Sequence, residues 1–401
     1  MRLFCDRIWT ESGMVSGILE INAGKISAII PGATADSADY DYSGRMIIPG
    51  FIDSHVHGWG RGSYIFQGMA SSIGRMASDL PKAGVTAFLA SSGAAAPKFI
   101  EQSMQAAAEY IAGEHPAQTA ECLGIHFEGP FLNIEQCGMQ KPEYIVPPDI
   151  GLFEHYRKLA KDTIRLVTLA PELPGGLALV RHLRANNIAV AAGHTAATFD
   201  EMALAVGCGV QSFTHTFSGM RGLHHREPGV VGAALYFEQC YCEVAKQTGT
   251  TVRPEVFAIL YRIKTADKII HTTDCVGYGD MQDGAVFKHY LRKAEFSVEG
   301  NELVVKTADK IERYDRLDYN VVKDIELSYI QSVRNIIANV HPSVPDIIKM
   351  TAENPAKLIG LFERKGSIAL SKDADLLVVD DDFALQSVFC KGYIINGISK
   401  I

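Results

Sequence analysis

The chain has no uninterrupted apolar run approaching the roughly 18 residues that a membrane-spanning helix needs, which excludes a membrane span. It begins MRLFCDRIWTESG, where Asp6 and Glu11 interrupt any apolar leader core, so no secretory leader is expected. It lacks a surplus of positive charge. Lys and Arg number 38 against 46 Asp and Glu, a net charge of −8, which argues against a broad nucleic-acid surface. Its 8 cysteines are scattered from Cys5 to Cys390 without the spacing of a disulfide framework, so reduced thiols in a cytoplasm are expected. No long Gly/Ser/Pro linker and no internal repeat breaks the chain. What is present is ordinary for a folded enzyme: 47% hydrophobic and 21% charged residues exclude disordered and fibrous classes. A length of 401 residues accommodates one large α/β domain plus a smaller one.

Both ends read as β-structure. Leu3–Trp9, Gly17–Ile21 and Lys25–Ile30 are β-prone at the start, with Ala23-Gly24 as a turn, and Ala374–Asp380 and Ser387–Ile395 match them at the end. The termini are expected to pair into one small domain from residues 1–50 and 365–401. The middle, 51–364, alternates. Apolar strand-like runs end at Asp53, Ser91, Glu128, Pro171, His194, His215, Lys246 and Asp274. Helix-like stretches follow most of them, such as Gly68–Ala83, Pro97–Ala112, Leu177–Ala185, Phe199–Val206 and Pro254–Ile263. Eight strand-then-helix units predict a (β/α)8 TIM barrel, the α/β fold class in which strand C-termini face the active site.

Metal-competent side chains fall at those strand ends: His55 and His57 after the first run, Glu128 after the third, His194 after the fifth, His215 after the sixth and Asp274 after the eighth. His55 and His57 are two apart, so on an extended strand both point the same way and can grip one cation. Glu128 can bridge that cation to a second held by His194 and His215. This donor set suits zinc, and iron, manganese or cobalt would also fit, at one or two divalent ions per chain. Such an ion lowers the pKa of bound water from 15.7 to about 7, and Asp274 reads as the general base and later the general acid. His126 lies earlier in its strand and reads as core or as support behind the ligands, and His271 is too early in its strand to be a first-choice ligand.

The segment Ile48-Pro49-Gly50-Phe51-Ile52-Asp53-Ser54-His55-Val56-His57 resembles the opening signature of the amidohydrolase superfamily. Asn354-Pro355-Ala356, Lys365-Gly366-Ser367-Ile368 and Asp373-Ala374-Asp375-Leu376 resemble its tail. The resemblance implies a metal-dependent barrel with a small β-sandwich made from both termini. Within the superfamily, Gly124–Asn133, Leu169–Glu172, Ala192–Thr198 and Gly222–Gly229 resemble the N-acetylglucosamine-6-phosphate and N-acetylgalactosamine-6-phosphate deacetylases. That likeness implies Glu128, His194 and His215 as metal ligands, a second metal position at His55 and His57, and Asp274 as catalytic acid/base. It also implies a phosphorylated N-acetyl amino sugar as substrate, with Arg226 on its phosphate, in some members from the neighbouring subunit of a homodimer. Arg221, His224, His225 and Arg226 concentrate positive charge on one loop of an acidic protein, which suits the same ligand.

The chain departs from these relatives where they touch substrate. Gln140 stands where a histidine is usual, and Thr248-Gly249-Thr250-Thr251-Val252 replaces an Asp-Gly-x-His-Val segment. Ser218 replaces an asparagine ahead of Gly219-Met220, and the stretch at Ile311–Leu317 replaces a segment that lines the sugar site. The expectation is a hydrolase with its metal machinery kept and its substrate walls altered. A cyclic-amide hydrolase is a weaker alternative, because Leu169-Ala170-Pro171-Glu172 offers no lysine to carry the carboxylate those enzymes use. A catalytically quiet homologue is the other alternative.

Overall fold

The structure is a computed structural model that describes residues 1–245, 251–289 and 293–395. Eight parallel strands pair in chain order: Phe51–Val56, Val85–Ser91, Glu121–Glu128, Ile164–Leu169, Ala189–Ala192, Ser212–Phe213, Tyr241–Ala245 and Ile269–Thr272. The expected seventh end, Lys246, lies outside the described residues. Every residue of Val85–Ser91 is buried, as a strand covered on both faces must be. The first and eighth strands meet through loop and side-chain bonds. Asp274 N donates to His55 O at 2.8 Å, and Thr272 Oγ1 donates to the same carbonyl at 2.9 Å. Asp53 strengthens this closure by accepting from the hydroxyls of Thr272 and Thr273.

Helices cover the barrel where the sequence pattern places them. Pro97–Ala112 buries Ile100, Met104, Ala107 and Ala108, the spacing of one helical face. Phe199–Cys208 starts at a capping box, with Thr198 and Glu201 satisfying each other's backbone donors.

The termini pair as expected. Arg2–Thr10, Gly13–Asn22, Lys25–Pro31 and Met46–Pro49 join Leu376–Val379, Leu385–Cys390 and Tyr393–Ile394 in one eight-stranded sheet, with the short strand Tyr40–Asp41 beside the first. This sheet has its own core around Leu3, Ile8, Leu19, Ile47, Leu376 and Phe389. The chain passes into the barrel at Gly50, where a Cβ would lie 2.2 Å from Thr86 Oγ1, so only glycine fits.

One feature departs from expectation. After the eighth barrel strand comes an antiparallel meander, Val286–His289, Ala294–Glu299, Glu302–Lys306 and Ile311–Asp315. Phe296, Val298, Leu303 and Val305 pack with Tyr278 and Met281 as its core. The stretch Ile311–Leu317, expected to wall the sugar site, instead supplies the outer edge strand and the turn after it. Its alternating, largely solvent-facing pattern shows why: an edge strand over one small core leaves its other face to water.

Candidate active site

His194, His215 and Asp274 each stand two residues beyond the end of their strand. All three have positive φ, at 47°, 29° and 52°. Non-glycine residues resist this conformation at a cost of about 1–3 kcal/mol each, and such strain gathers at functional sites. Here the left-handed turn swings each side chain over the barrel mouth. His55 and His57 follow the alternation of the first strand to the same side, with Nε2 atoms 3.2 Å apart.

Glu128 sits at the centre. Its Oε1 lies 3.1 Å from His215 Nε2, 3.3 Å from His194 Nε2 and 3.5 Å from His55 Nε2. Its Oε2 lies 3.3 Å from His57 Nε2. Asp274 Oδ1 completes the second group, 3.3 Å from His57 Nε2 and 3.5 Å from His55 Nε2. Two triads result, His55–His57–Asp274 and Glu128–His194–His215, with the Glu128 carboxylate between them.

The far sides of the rings fix which nitrogen is free. Nδ1–H of His57 donates to Ser91 O at 3.0 Å, that of His194 to Gln136 O at 2.8 Å and that of His215 to Ser218 O at 3.1 Å. In each neutral ring Nε2 therefore carries a lone pair. Three lone pairs and two carboxylate edges aimed into one space repel one another unless a cation lies among them. The donor set thus fits one or two divalent ions. Titration behaviour agrees. Burial opposes a proton on His57, yet Asp274 and Glu128 outweigh it and lift its pKa to about 9. Burial likewise works against the charge of Glu128 and of Asp274, but the surrounding imidazoles hold both well below the usual carboxylate range. The pocket wants positive charge, and a metal that supplies it displaces protons.

Several contributors left little trace in the sequence. Glu243, on the seventh strand, accepts from His55 Nδ1 at 2.7 Å and from the His215 backbone N–H at 3.1 Å. A single acid inside the apolar run Tyr241–Ala245 was its only signal. Glu172 accepts from Asn133 Nδ2 and Ala196 N, both at 2.9 Å, and braces the loop that carries His194. Glu326 lines the cavity and binds the backbone N–H groups of Val276 and Gly277. It lies outside the Ile311–Leu317 stretch. His126 lies one layer below Glu128, between the hydroxyls of Ser91 and Thr168, and burial together with the charge of His55 holds it well below its ordinary pKa. It is core support, as read from the strand. His271 is fully buried too, against Tyr329.

A cavity of about 190 Å³ opens above the two triads. Gln140, Ser218, Gly219 and Thr251 line it, as do Tyr278 and Phe287 from the region after the eighth strand. Gln140 donates from Nε2 to Glu128 Oε2 at 2.8 Å and accepts from Ala94 N at 2.8 Å, so it orients the central carboxylate. Thr248–Thr250 lie outside the described residues. Arg226 and His225 are not brought to this cavity. They stand exposed on a loop where His224 and His225 rings lie 4.2 Å apart.

The Amidohydrolase family model matches residues 46–395. The chain belongs to the amidohydrolase family. It is 32% identical over 392 residues to the N-acetylglucosamine-6-phosphate deacetylase of Bacillus subtilis, covering 96% of this chain and 95% of that one. It is 28% identical over 387 residues to the N-acetylgalactosamine-6-phosphate deacetylase of Escherichia coli O157:H7, covering 96% and 97%. The crystal structure of N-acetyl-D-glucosamine-6-phosphate deacetylase from Mycobacterium smegmatis superposes with a TM-score of 0.82 at 26% identity, covering 98% of this chain and 100% of the other. A further structure of that enzyme is a complex with N-acetyl-D-glucosamine-6-phosphate, with a TM-score of 0.81 at 26% identity and 99% coverage of each chain. This amidohydrolase is thus a metal-dependent hydrolase of C–N bonds by family, on a barrel whose mouth carries the donor atoms such chemistry needs. No helix among the described residues is long and apolar enough to cross a membrane.

Proposed function

We propose that this amidohydrolase removes the acyl group from N-acetylated amino sugar 6-phosphates, releasing a carboxylate and a free amine. The observation that carries the reading is the convergence of the imidazole Nε2 atoms on the Glu128 carboxylate, each ring locked by its Nδ1 partner. The names of its relatives supply the substrate class.

Glu128, His194 and His215 would hold one ion, and His55, His57 and Asp274 a second. Zinc is the proposed ion, and iron, manganese and cobalt accept the same donors. When bound, it supplies a water of lowered pKa and polarises the acyl carbonyl. The chain's own residues do the rest. Asp274, its side chain 32% exposed, faces the cavity. Held ionised, it takes the proton of the attacking water and delivers it to the leaving nitrogen. Ser218, Gly219 and Thr251 border the sugar, and Gln140 keeps Glu128 oriented. The exposed Arg226 and His225 are assigned to the phosphate of a substrate held by a second copy of the chain. The enzyme is accordingly proposed as a cytoplasmic homodimer with no nucleic-acid or membrane partner.

The test is release of amine from N-acetylglucosamine 6-phosphate by protein loaded with a defined divalent ion. Arg226→Ala should raise KM for the phosphorylated substrate far more than for the unphosphorylated sugar. Absence of amine release from any phosphorylated N-acyl hexosamine by metal-loaded protein would sink the proposal.

A further inference from the structure

A second cavity of about 410 Å³ adjoins the one above the triads. The two share Ile65, Phe66, Met139, Gln140 and Phe287 as a common wall. The second is bounded by residues that follow the first, second, third and eighth barrel strands: Tyr64–Phe66, Ser92–Phe99, Met139–Tyr144 and Met281–Phe287. No residue that follows strands four to seven lines it. Ser218, Gly219 and Thr251, proposed to border the sugar, follow strands six and seven, across the barrel mouth.

Its lining is apolar for the most part, and its buried polar groups are mostly paired. Tyr64 donates its hydroxyl to Ser103 O, and Ser103 donates to Ile100 O. Ser92, 4% exposed, is different, because its Oγ has no hydrogen-bond partner among the described residues. Gly93 lies where the shared wall packs closest, between Ile65 and Gln140. A Cβ there would lie 2.9 Å from Ile65 Cδ1 and 3.0 Å from Gln140 Oε1. Met139, an unbranched and adaptable side chain, forms part of the shared wall.

A secondary amide is planar and trans, so its two substituents leave the carbonyl in opposite directions. With the scissile carbonyl at the triads and the sugar toward strands six and seven, the acyl group points toward the second and third strands. An acetyl group ends there in a single methyl. The cavity beyond lies within the range of roughly 300–1,000 Å³ that small-molecule pockets span.

We propose that this cavity is an acyl-chain subsite, and that the enzyme prefers amino sugar phosphates whose N-acyl group is a medium-length hydrocarbon chain rather than acetyl. The proposal rests on the reading of the chain as an amino-sugar N-acyl hydrolase. The reaction is the same hydrolysis. The oxygen of water joins the acyl carbon, the C–N bond breaks, and Asp274 carries the proton to the amine, leaving a fatty carboxylate and the amino sugar phosphate.

The test compares kcat/KM for the N-acetyl, N-butanoyl and N-hexanoyl forms of glucosamine 6-phosphate. The expected result is a rise of about fourfold per added methylene, the equivalent of ~0.8 kcal/mol for each CH₂ removed from water. Ala95→Phe fills the subsite without touching either triad, and should cut the hexanoyl-to-acetyl ratio at least tenfold. Ala285→Phe does the same from the opposite wall and serves where the first variant fails to fold. Turnover of acetyl with a steady fall on lengthening overturns the subsite and leaves the hydrolase reading standing. An unchanged ratio in a folded Ala95→Phe or Ala285→Phe variant also overturns it. Turnover of no member of this series or of the matching galactosamine 6-phosphate series overturns both readings together.

Discussion

The third barrel strand carries a glutamate at each end, Glu121 at its start and Glu128 at its finish. Glu128 sits in a buried charge cluster and Glu121 in a partly buried one, and both are held below their ordinary pKa against the cost of burial. The partners differ. Glu121 meets Lys365 at 2.8 Å, Arg364 at 2.9 Å and Lys391 at 3.2 Å, and Lys365 also pairs with Asp373 and Asp375. These are permanent cations, and with them the cluster is complete. It joins the barrel floor to the sheet built from the termini. Glu128 meets imidazoles, whose charge is optional, and they leave a space that an ion can fill. One strand thus has a stability end and a chemistry end, the division expected of a barrel.

The sharpest break in that comparison comes from the chemistry end. Asp274→Asn should lower kcat by about 10²–10⁴-fold, because no group collects the water proton, while the fold and the ion held by Glu128, His194 and His215 persist. Steady-state turnover, elemental analysis and thermal melting of one preparation check it, and near-normal turnover would refute the role. At the opposite end, Lys365→Met should leave kcat intact but destabilise the fold by about 3–5 kcal/mol, since it strands buried carboxylates without their cation. Urea unfolding reads this directly, and a loss of activity in the folded variant would contradict the division.

Two smaller effects sharpen it. Glu243→Gln should weaken metal binding by about 10–100-fold, the usual consequence of losing a partner behind a ligating histidine. Competition with a chelator measures it, and unchanged affinity would remove Glu243 from the centre. The last effect is pH-dependent. Burial raises the pKa of Glu121, but Lys365, Arg364 and Lys391 outweigh it and pull the folded value from 4.5 to about 2. A depressed folded pKa gives stability that is present above the unfolded value and lost as pH falls toward the folded one. The window is therefore from 4.5 down to about 2. With the side chain partly screened by water, this is worth about 1–2 kcal/mol. Glu121→Gln should flatten the acid limb of the stability curve by that amount, and an unchanged limb would show that the cluster does not titrate as a unit.

The barrel was legible because the parallel strands are apolar runs, five of which end in or are followed by metal-competent residues. His55, His57, Glu128, His194, His215 and Asp274 could be read from their places after such runs, and the structure brings all of them within reach of one another. Glu243 and Glu326 were not legible, because nothing local distinguishes a carboxylate that faces a histidine across the barrel from one that faces water. The Ile311–Leu317 stretch was misread for a different reason. It was placed by resemblance, as the replacement of a segment that lines the sugar site in relatives, and only the tertiary structure shows that here it forms the edge of a meander.

By itself, the sequence determined the fold class, the pairing of the two termini and which metal-competent side chains gather at the barrel mouth. Periodicity and strand-end chemistry are local properties, carried by neighbours in the chain. Tertiary structure alone decided how the sites are completed. The Nδ1 locks on His57 and His194 come from carbonyls 34 and 58 residues away, and Gln140 reaches back 12 residues to Glu128. The side cavity draws its walls from four separate stretches of chain. Distances between groups far apart in sequence depend on how the packed layers meet, and no short-range pattern encodes that.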